Sequence, residues 1–231
     1  MKYILFSIIC YLFVCTASAQ NARKNDFKAL FDGKTLKGWT ATTDKPASFL
    51  VENGELVCRG GRAHLFYTGD IGNADFKNFE LQLKIKTTAN SNSGIYFHTK
   101  YQEDGWPGIG FEAQVNSTHS DPKRTGSLYG IVNIWAPKEA EDPYLAKVTE
   151  NGEIYILQPK APSTDGEWFD YYIKVQDNSI VVKVNGLTTV NWTQPEGWAK
   201  ERRIGHGTVG LQAHDPTCQV YYKDIKIKIL D

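Results

Sequence analysis

Apolar and polar residues alternate with a period of two along most of this chain. Leu81, Leu83 and Ile85 alternate with Gln82, Lys84 and Lys86, Ile180, Val182 and Val184 with Val181, Lys183 and Asn185, and Ile225, Ile227 and Ile229 with Lys226 and Lys228. Successive side chains of a strand point to opposite faces, so each run predicts a strand with one buried face. Turn signals separate the runs: Asn53-Gly54, Asn151-Gly152, Asp165-Gly166, Asn185-Gly186 and the stretch from Trp135 to Pro143. Asn185-Gly186 stands between Ile180–Val184 and Leu187–Trp192, the pattern of a hairpin closed by a primed turn. No stretch holds a helical period long enough for an amphipathic helix. Many short strands with frequent turns predict an all-β fold built as a two-sheet sandwich.

The amino terminus departs from this pattern. Lys2 precedes an apolar run from Tyr3 to Val14 interrupted by Ser7, and Ala17-Ser18-Ala19 follows with the small-x-small spacing of a signal-peptidase site. The run is shorter than the roughly 20 apolar residues of a transmembrane helix. A lipoprotein anchor would need a small residue before a cysteine, but Cys10 follows Ile9 and Cys15 follows Val14. The expectation is a cleaved signal over residues 1–19, a lead-in over 20–26 and one domain over 27–231, exported to a periplasm or the cell exterior with no membrane attachment after cleavage.

Cleavage removes Lys2 and no acidic residue, which takes the net charge from 0 to −1. A near-neutral chain has no general attraction for nucleic acid or anionic lipid. Cys58 and Cys218 remain in a compartment that permits oxidation, either as a disulfide or as two small buried side chains. No CxxC pair, His-x-His pair or glycine-rich phosphate loop occurs, which argues against zinc fingers, thioredoxin chemistry and nucleotide binding.

The candidate chemistry sits on the far face of three strands. In Gly110–Asn116, Phe111, Ala113 and Val115 take the core side and send Glu112, Gln114 and Asn116 to the other. In Ser93–Thr99, Ile95 and Phe97 face inward and leave Tyr96 and His98 outward, with Gly94 giving room. In Thr208–His214, Val209, Leu211 and Ala213 face inward and leave Gln212 and His214 outward. Exposed strands more often carry Lys and Thr, so this Glu, Gln, His and Tyr set reads as one patch suited to a carbohydrate if the strands are neighbours. Arg124 and Tyr129 flank Thr125-Gly126-Ser127 in a loop beyond the Glu112 strand, where Arg124 either serves the site as a cation or is a solvated charge on a polar turn, and Trp106, in Asp104-Gly105-Trp106-Pro107-Gly108, is a loop aromatic that either stacks on a sugar or anchors its loop. Trp39, Trp168 and Trp192 are assigned to the core and its rims, and Glu103, Asp104, Asp121, Glu139, Glu141 and Asp142 to surface charge. Glu112, His98 and His214 are also suitable ligand types for a divalent metal, which their spacing neither demands nor excludes; no other cofactor is implied.

The ordered segments Ser93-Gly94-Ile95-Tyr96-Phe97, Gly110-Phe111-Glu112-Ala113-Gln114-Val115, Thr125-Gly126-Ser127-Leu128-Tyr129-Gly130, Gly166-Glu167-Trp168, Asn185-Gly186 and Gly210-Leu211-Gln212-Ala213-His214 resemble the signature of the 3-keto-disaccharide hydrolase domain family. The opening Leu30–Trp39 is similar to the family's usual start, and the likeness runs from about Phe27 to Leu230. Arg is common in the family at the position of His98, a His-Gly pair at His214-Asp215, and an aromatic-Arg-Asn step at Tyr222-Lys223-Asp224. The resemblance implies a concanavalin-like jelly roll acting on oxidised sugars. A ketone at C3 acidifies the C2 hydrogen, loss of the C1 aglycone becomes a β-elimination, and water adds back to complete hydrolysis without the two-carboxylate oxocarbenium route. That chemistry needs a base at C2–H, a donor or cation at the C3 oxygen and an acid at the leaving oxygen. Glu112 and His214 are the candidates for base and acid in either order, and Tyr96, His98, Gln114, Gln212, Arg124, Tyr129 and Trp106 for substrate binding. The rival readings are a non-catalytic carbohydrate-binding module, which would share the same face, and an adhesion domain, which would instead expose a large apolar patch.

Overall fold

A computed structural model describes residues 26–136 and 146–231. The leader expectation for 1–19 lies outside the described residues, as do Glu139, Glu141, Asp142 and most of the turn stretch from Trp135 to Pro143. Sixteen strands are described: β1 (Lys28–Ala29), β2 (Trp39–Ala41), β3 (Phe49–Glu52), β4 (Glu55–Arg59), β5 (Ala63–Tyr67), β6 (Phe79–Thr87), β7 (Ser93–Thr99) and β8 (Phe111–Val115), then β9 (Val132–Trp135), β10 (Ala146–Val148), β11 (Ile154–Leu157), β12 (Phe169–Gln176), β13 (Ser179–Val184), β14 (Leu187–Thr193), β15 (Thr208–Ala213) and β16 (Gln219–Ile229). Helix is limited, among the described residues, to two short 3₁₀ turns, and no helix there is long and apolar enough to cross a membrane.

Eight strands form one sheet in the order β14-β13-β12-β6-β16-β4-β3, with β1 added along β16, and five form the other in the order β2-β5-β15-β7-β8. A third, three-stranded sheet (β10-β11-β9) includes a parallel β9–β11 pair. It meets β8 through single bridges at Ala113–Leu128 and Leu128–Val132. The predicted hairpin is present: Val184 pairs with Leu187 across Asn185 and Gly186, both at positive φ as a type I′ turn requires.

The core lies between the two larger sheets. Phe79, Leu81, Leu83 and Ile85 of β6 and Ile173, Val175, Val182 and Ile227 of its neighbours meet Ile95, Phe97, Phe111, Val209 and Leu211 from the other side. One expectation fails at the carboxyl end, where Ile225 and Ile227 are buried but Ile229 is 45% exposed. The facing itself continues, since Ile229 pairs with Phe79 at the last position of β16; upstream, a bulge between Lys223 and Lys226, with Asp224 at φ 53°, lets both Tyr222 and Ile225 face inward. Trp39 and Trp192 are buried as expected, while Trp168 is half-buried with Lys223 Nζ 3.9 Å from its ring centre. Cys58 and Cys218 are both buried free thiols, and burial raises the pKa of each.

In β7, β8 and β15 every residue is buried, on the polar face as well as the core face. Loops therefore cover the outer face of the sheet. Burying polar side chains is costly unless they are satisfied, so the cover turns a solvent face into a site.

Candidate active site

The three strands singled out by their polar faces are neighbours, with β7 between β15 and β8. Register aligns their side chains in rows. Gly210, Tyr96 and Glu112 form one row, and His64 on β5 pairs with Gln212 in the next, which continues through Gly94 to Gln114. The two glycines clear the middle of the sheet. A Cβ on Gly94 would lie 2.5 Å from Glu112 Oε1, so the carboxylate rests in the space a side chain would fill.

Glu112 is 6% exposed and closely held. Tyr96 Oη donates to its Oε2 at 2.9 Å, and Gln212 Nε2 donates to its Oε1 and to Tyr96 Oη, both at 3.0 Å. Arg202 Nη1 stands 4.0 Å from Oε2. Burial raises the Glu112 pKa above the ordinary carboxylate range, against the opposing pull of Arg202, Tyr96 and Gln212. A carboxylate fixed by two donors and made more basic by burial is suited to accept a proton from carbon.

His214 faces the same cavity. Its Nδ1 lies 2.9 Å from Asp215 Oδ2, which also stands 3.3 Å from His119 Nε2. Burial raises the pKa of Asp215, but hydrogen bonds from Thr217 and His214 outweigh it and hold it below the usual aspartate range. An ionised Asp215 accepts only, so Nδ1 of His214 carries a proton and Nε2 is left for a ligand.

The cavity has a volume of about 180 Å³. Tyr96, Glu112, Gln114, Gln212 and His214 line its sheet side, and Trp106, Tyr129, Asp121 and Arg202 its loop side. Five of the sequence candidates on the strands, with Trp106 and Tyr129, thus share one pocket. Tyr129 backs onto β8, its N–H donating to the Glu112 carbonyl at 2.9 Å. Burial, reinforced by Asp121, pushes its phenol up to about 12.

Two candidates are corrected. His98 does not share this face. The β15–β7 register slips between Thr208 and Val209, His98 takes φ 53°, and its ring turns to the core side against Phe79, Phe97 and Phe111. There Nε2 donates to the Lys77 carbonyl at 2.9 Å and Nδ1 accepts from Gly205 N–H at 3.2 Å. Arg124 is spent on its own loop: Nη1 donates to Asn116 Oδ1 and the carbonyls of His119 and Asp121, and Nη2 to that of Ala136. The cation at the cavity is Arg202, from a Lys-Glu-Arg-Arg run that reads in sequence as a solvated loop. Asp121, assigned from sequence to surface charge, lines the cavity instead. His64 carried no signal, since its strand reads as an apolar run.

With His98 elsewhere, Glu112 and His214 lack the third donor considered for a metal, and among the described residues no three His, Cys, Asp or Glu side chains gather as a metal site.

The family model described as the 3-keto-alpha-glucoside-1,2-lyase-like domain matches residues 26–228. The chain belongs to this family. A Bacteroides thetaiotaomicron protein named 3-keto-disaccharide hydrolase is 23% identical, the match covering 87% of this chain and 78% of that one. Two Parabacteroides distasonis crystal structures, both described as candidate glycosyl hydrolases, superpose with TM-scores of 0.65 and 0.62 at 20% and 21% identity, covering 89% of this chain and 94% and 100% of theirs. A Bacillus subtilis carbohydrate-binding module superposes with a TM-score of 0.50 at 11% identity, covering 83% of this chain and 95% of its own. These likenesses agree with the all-β jelly-roll sandwich.

Proposed function

We propose that this chain is a carbohydrate-active enzyme that cleaves 3-keto-glycosides, with Glu112 as the base and His214 as the acid. The observation that carries the proposal is the buried Glu112 carboxylate, held by Tyr96 and Gln212 beside Arg202 in a cavity that His214 also enters. The family and the name of the Bacteroides relative point to the same substrate class.

Glu112 takes the proton from C2, and the electron pair moves onto the C3 oxygen as an enolate. Arg202 stabilises that oxygen as charge develops, a role that suits a cation which does not lose its proton. The enolate collapses, the C1–O bond breaks, and His214, entering the step as the imidazolium with Nδ1–H on Asp215, gives its Nε2 proton to the departing oxygen. Water then adds across C1 and C2: His214 takes a proton from it as its hydroxyl joins C1, and Glu112 returns its proton to C2, which gives the 3-keto sugar and restores both groups. Gln114 and Gln212, each with a buried amide oxygen lacking a partner, hold ring hydroxyls. The leader-like residues 1–19 support action outside the cytoplasm.

Incubation of the purified protein with 3-keto-trehalose beside trehalose tests the reading. Release of monosaccharide from the keto sugar alone is expected. Saturable binding of unoxidised glycans without turnover of either would make the chain a binding module instead.

A further inference from the structure

Four of the five buried side-chain polar atoms that lack a hydrogen-bond partner among the described residues fall on one row of the sheet: His64 Nδ1 and Nε2, Gln212 Oε1 and Gln114 Oε1. Gln114 and Gln212 line the cavity. His64 does not, because the Trp106 indole lies over it with ring centres 5.6 Å apart, and the imidazole is 1% exposed. Burial, reinforced by the nearby Arg62 guanidinium, pushes its pKa down to about 4. Apart from a weak contact with the Gly105 backbone, the imidazole is sealed with no partner at hydrogen-bonding geometry, which is costly, and Gln212 Oε1, on its register partner, is also unsatisfied.

The cover is lightly attached. Gln102 ties the loop to itself, its Nε2 donating to the carbonyls of Asp104 and Trp106 and its Oε1 accepting from Gly108 N–H. The loop meets the body through the Glu103 carbonyl, which accepts from Thr43 N–H at 2.8 Å. Beyond Glu103, the backbone of 104–109 reaches, among the described residues, only Gln102 and, weakly at Gly105, the His64 imidazole. Trp106 is 46% exposed, and a side chain on Gly108 would meet nothing within 4 Å. The open cavity of about 180 Å³ is below the roughly 300 Å³ at which pockets for larger ligands begin. A two-ring ligand therefore needs more space than the loop leaves in this position.

We propose that the loop Gln102–Gly108 covers a second sugar subsite, and that it lifts as the substrate's second ring enters between the Trp106 indole above and a floor of His64 and Gln212 below. Arg62, with its guanidinium carbon 5.9 Å from the Trp106 ring centre, forms the rim. The ligand is the aglycone sugar of a 3-keto-disaccharide, so the inference rests on the cleavage reading above. Its hydroxyls satisfy the imidazole and the amide oxygen, and its apolar face stacks on the indole, as sugar sites combine placed polar groups with flat rings.

Two measurements test it. Wild type, His64→Ala and His64→Gln are assayed on 3-keto-trehalose and on methyl 3-keto-α-glucoside, which lacks the second ring. His64→Ala is expected to raise KM for the disaccharide about ten-fold more than for the methyl glycoside, the size of one lost buried hydrogen bond, and His64→Gln to recover most of that difference. The His64 ring resonances are then followed by NMR in a Glu112→Gln background as 3-keto-trehalose is added. They are expected to move with saturation, and Trp106→Ala is expected to let the unliganded imidazole titrate above about 4. Equal KM effects on both substrates, or His64 resonances unmoved by saturating disaccharide, would overturn the subsite and leave the cleavage reading standing. No turnover of either substrate, with the resonances still moved by the disaccharide, would remove the cleavage reading and keep the subsite.

Discussion

Glu112 reaches Tyr96 and Gln212 only because position 94 has no side chain. Gly94→Ala is expected to push the carboxylate off its two donors and lower kcat at least ten-fold, with little change in melting temperature; wild-type kcat would show that this geometry is not needed. Because burial raises the Glu112 pKa and the base must be ionised, the acid limb of kcat/KM is expected above the ordinary glutamate value of 4.5. A limb at or below that value would contradict the assigned cause. His64 has the opposite sign. Its folded pKa of about 4 lies below the ordinary 6.5, so the unfolded chain binds more protons between the two. The stability it contributes is complete above pH 6.5 and falls away as pH drops toward 4, by up to about 3 kcal/mol. Denaturant titrations at several pH values should show this slope flattened in His64→Leu. Period-two alternation made Tyr96, Glu112, Gln114 and Gln212 legible as one face. It misplaced His98, because a single bulge residue reverses the facing of one side chain and leaves no mark in the apolar pattern.

At the scale of elements, the segment from Asn116 to Ala136 is built around Arg124, whose guanidinium gathers three carbonyls and the Asn116 amide oxygen. This segment brings Asp121 and Tyr129 to the cavity. Removing Arg124 leaves, among the described residues, the carbonyls of His119 and Ala136 without a partner, while Asn116 Oδ1 and the Asp121 carbonyl keep one donor each. Arg124→Ala is therefore expected to cost about 2–3 kcal/mol, a fall of roughly 5–10 °C in melting temperature, and to raise KM more than it lowers kcat. An unchanged melting temperature by calorimetry would mean the loop is held by other contacts. Arg124 stands out in the sequence but its role does not, because its partners are mostly backbone carbonyls. Arg202 was hidden for the converse reason. A basic run on a loop reads as solvated charge, and only the folded chain brings one member within 4.0 Å of Glu112.

At the scale of the molecule, an apolar sandwich core faces one side of the five-stranded sheet and loops cover the other, so a polar row is held rigidly and away from bulk water. Strand positions hold geometry better than loop positions, and a dry, fixed carboxylate can act on a weakly acidic carbon. The sandwich and its sheet neighbours were legible because turn residues and alternation are local signals. The cover was not, since which loop lies over which row is decided by the topology. The most direct test of the account is proton exchange at C2 in D₂O with 3-keto-1,5-anhydroglucitol, which has the acidified C2–H but no leaving group at C1. The wild-type protein is expected to exchange the C2 hydrogen selectively, and Glu112→Gln to lose that exchange by at least about 100-fold while remaining folded. Exchange at the wild-type rate in Glu112→Gln would contradict the account and move the base elsewhere in the cavity.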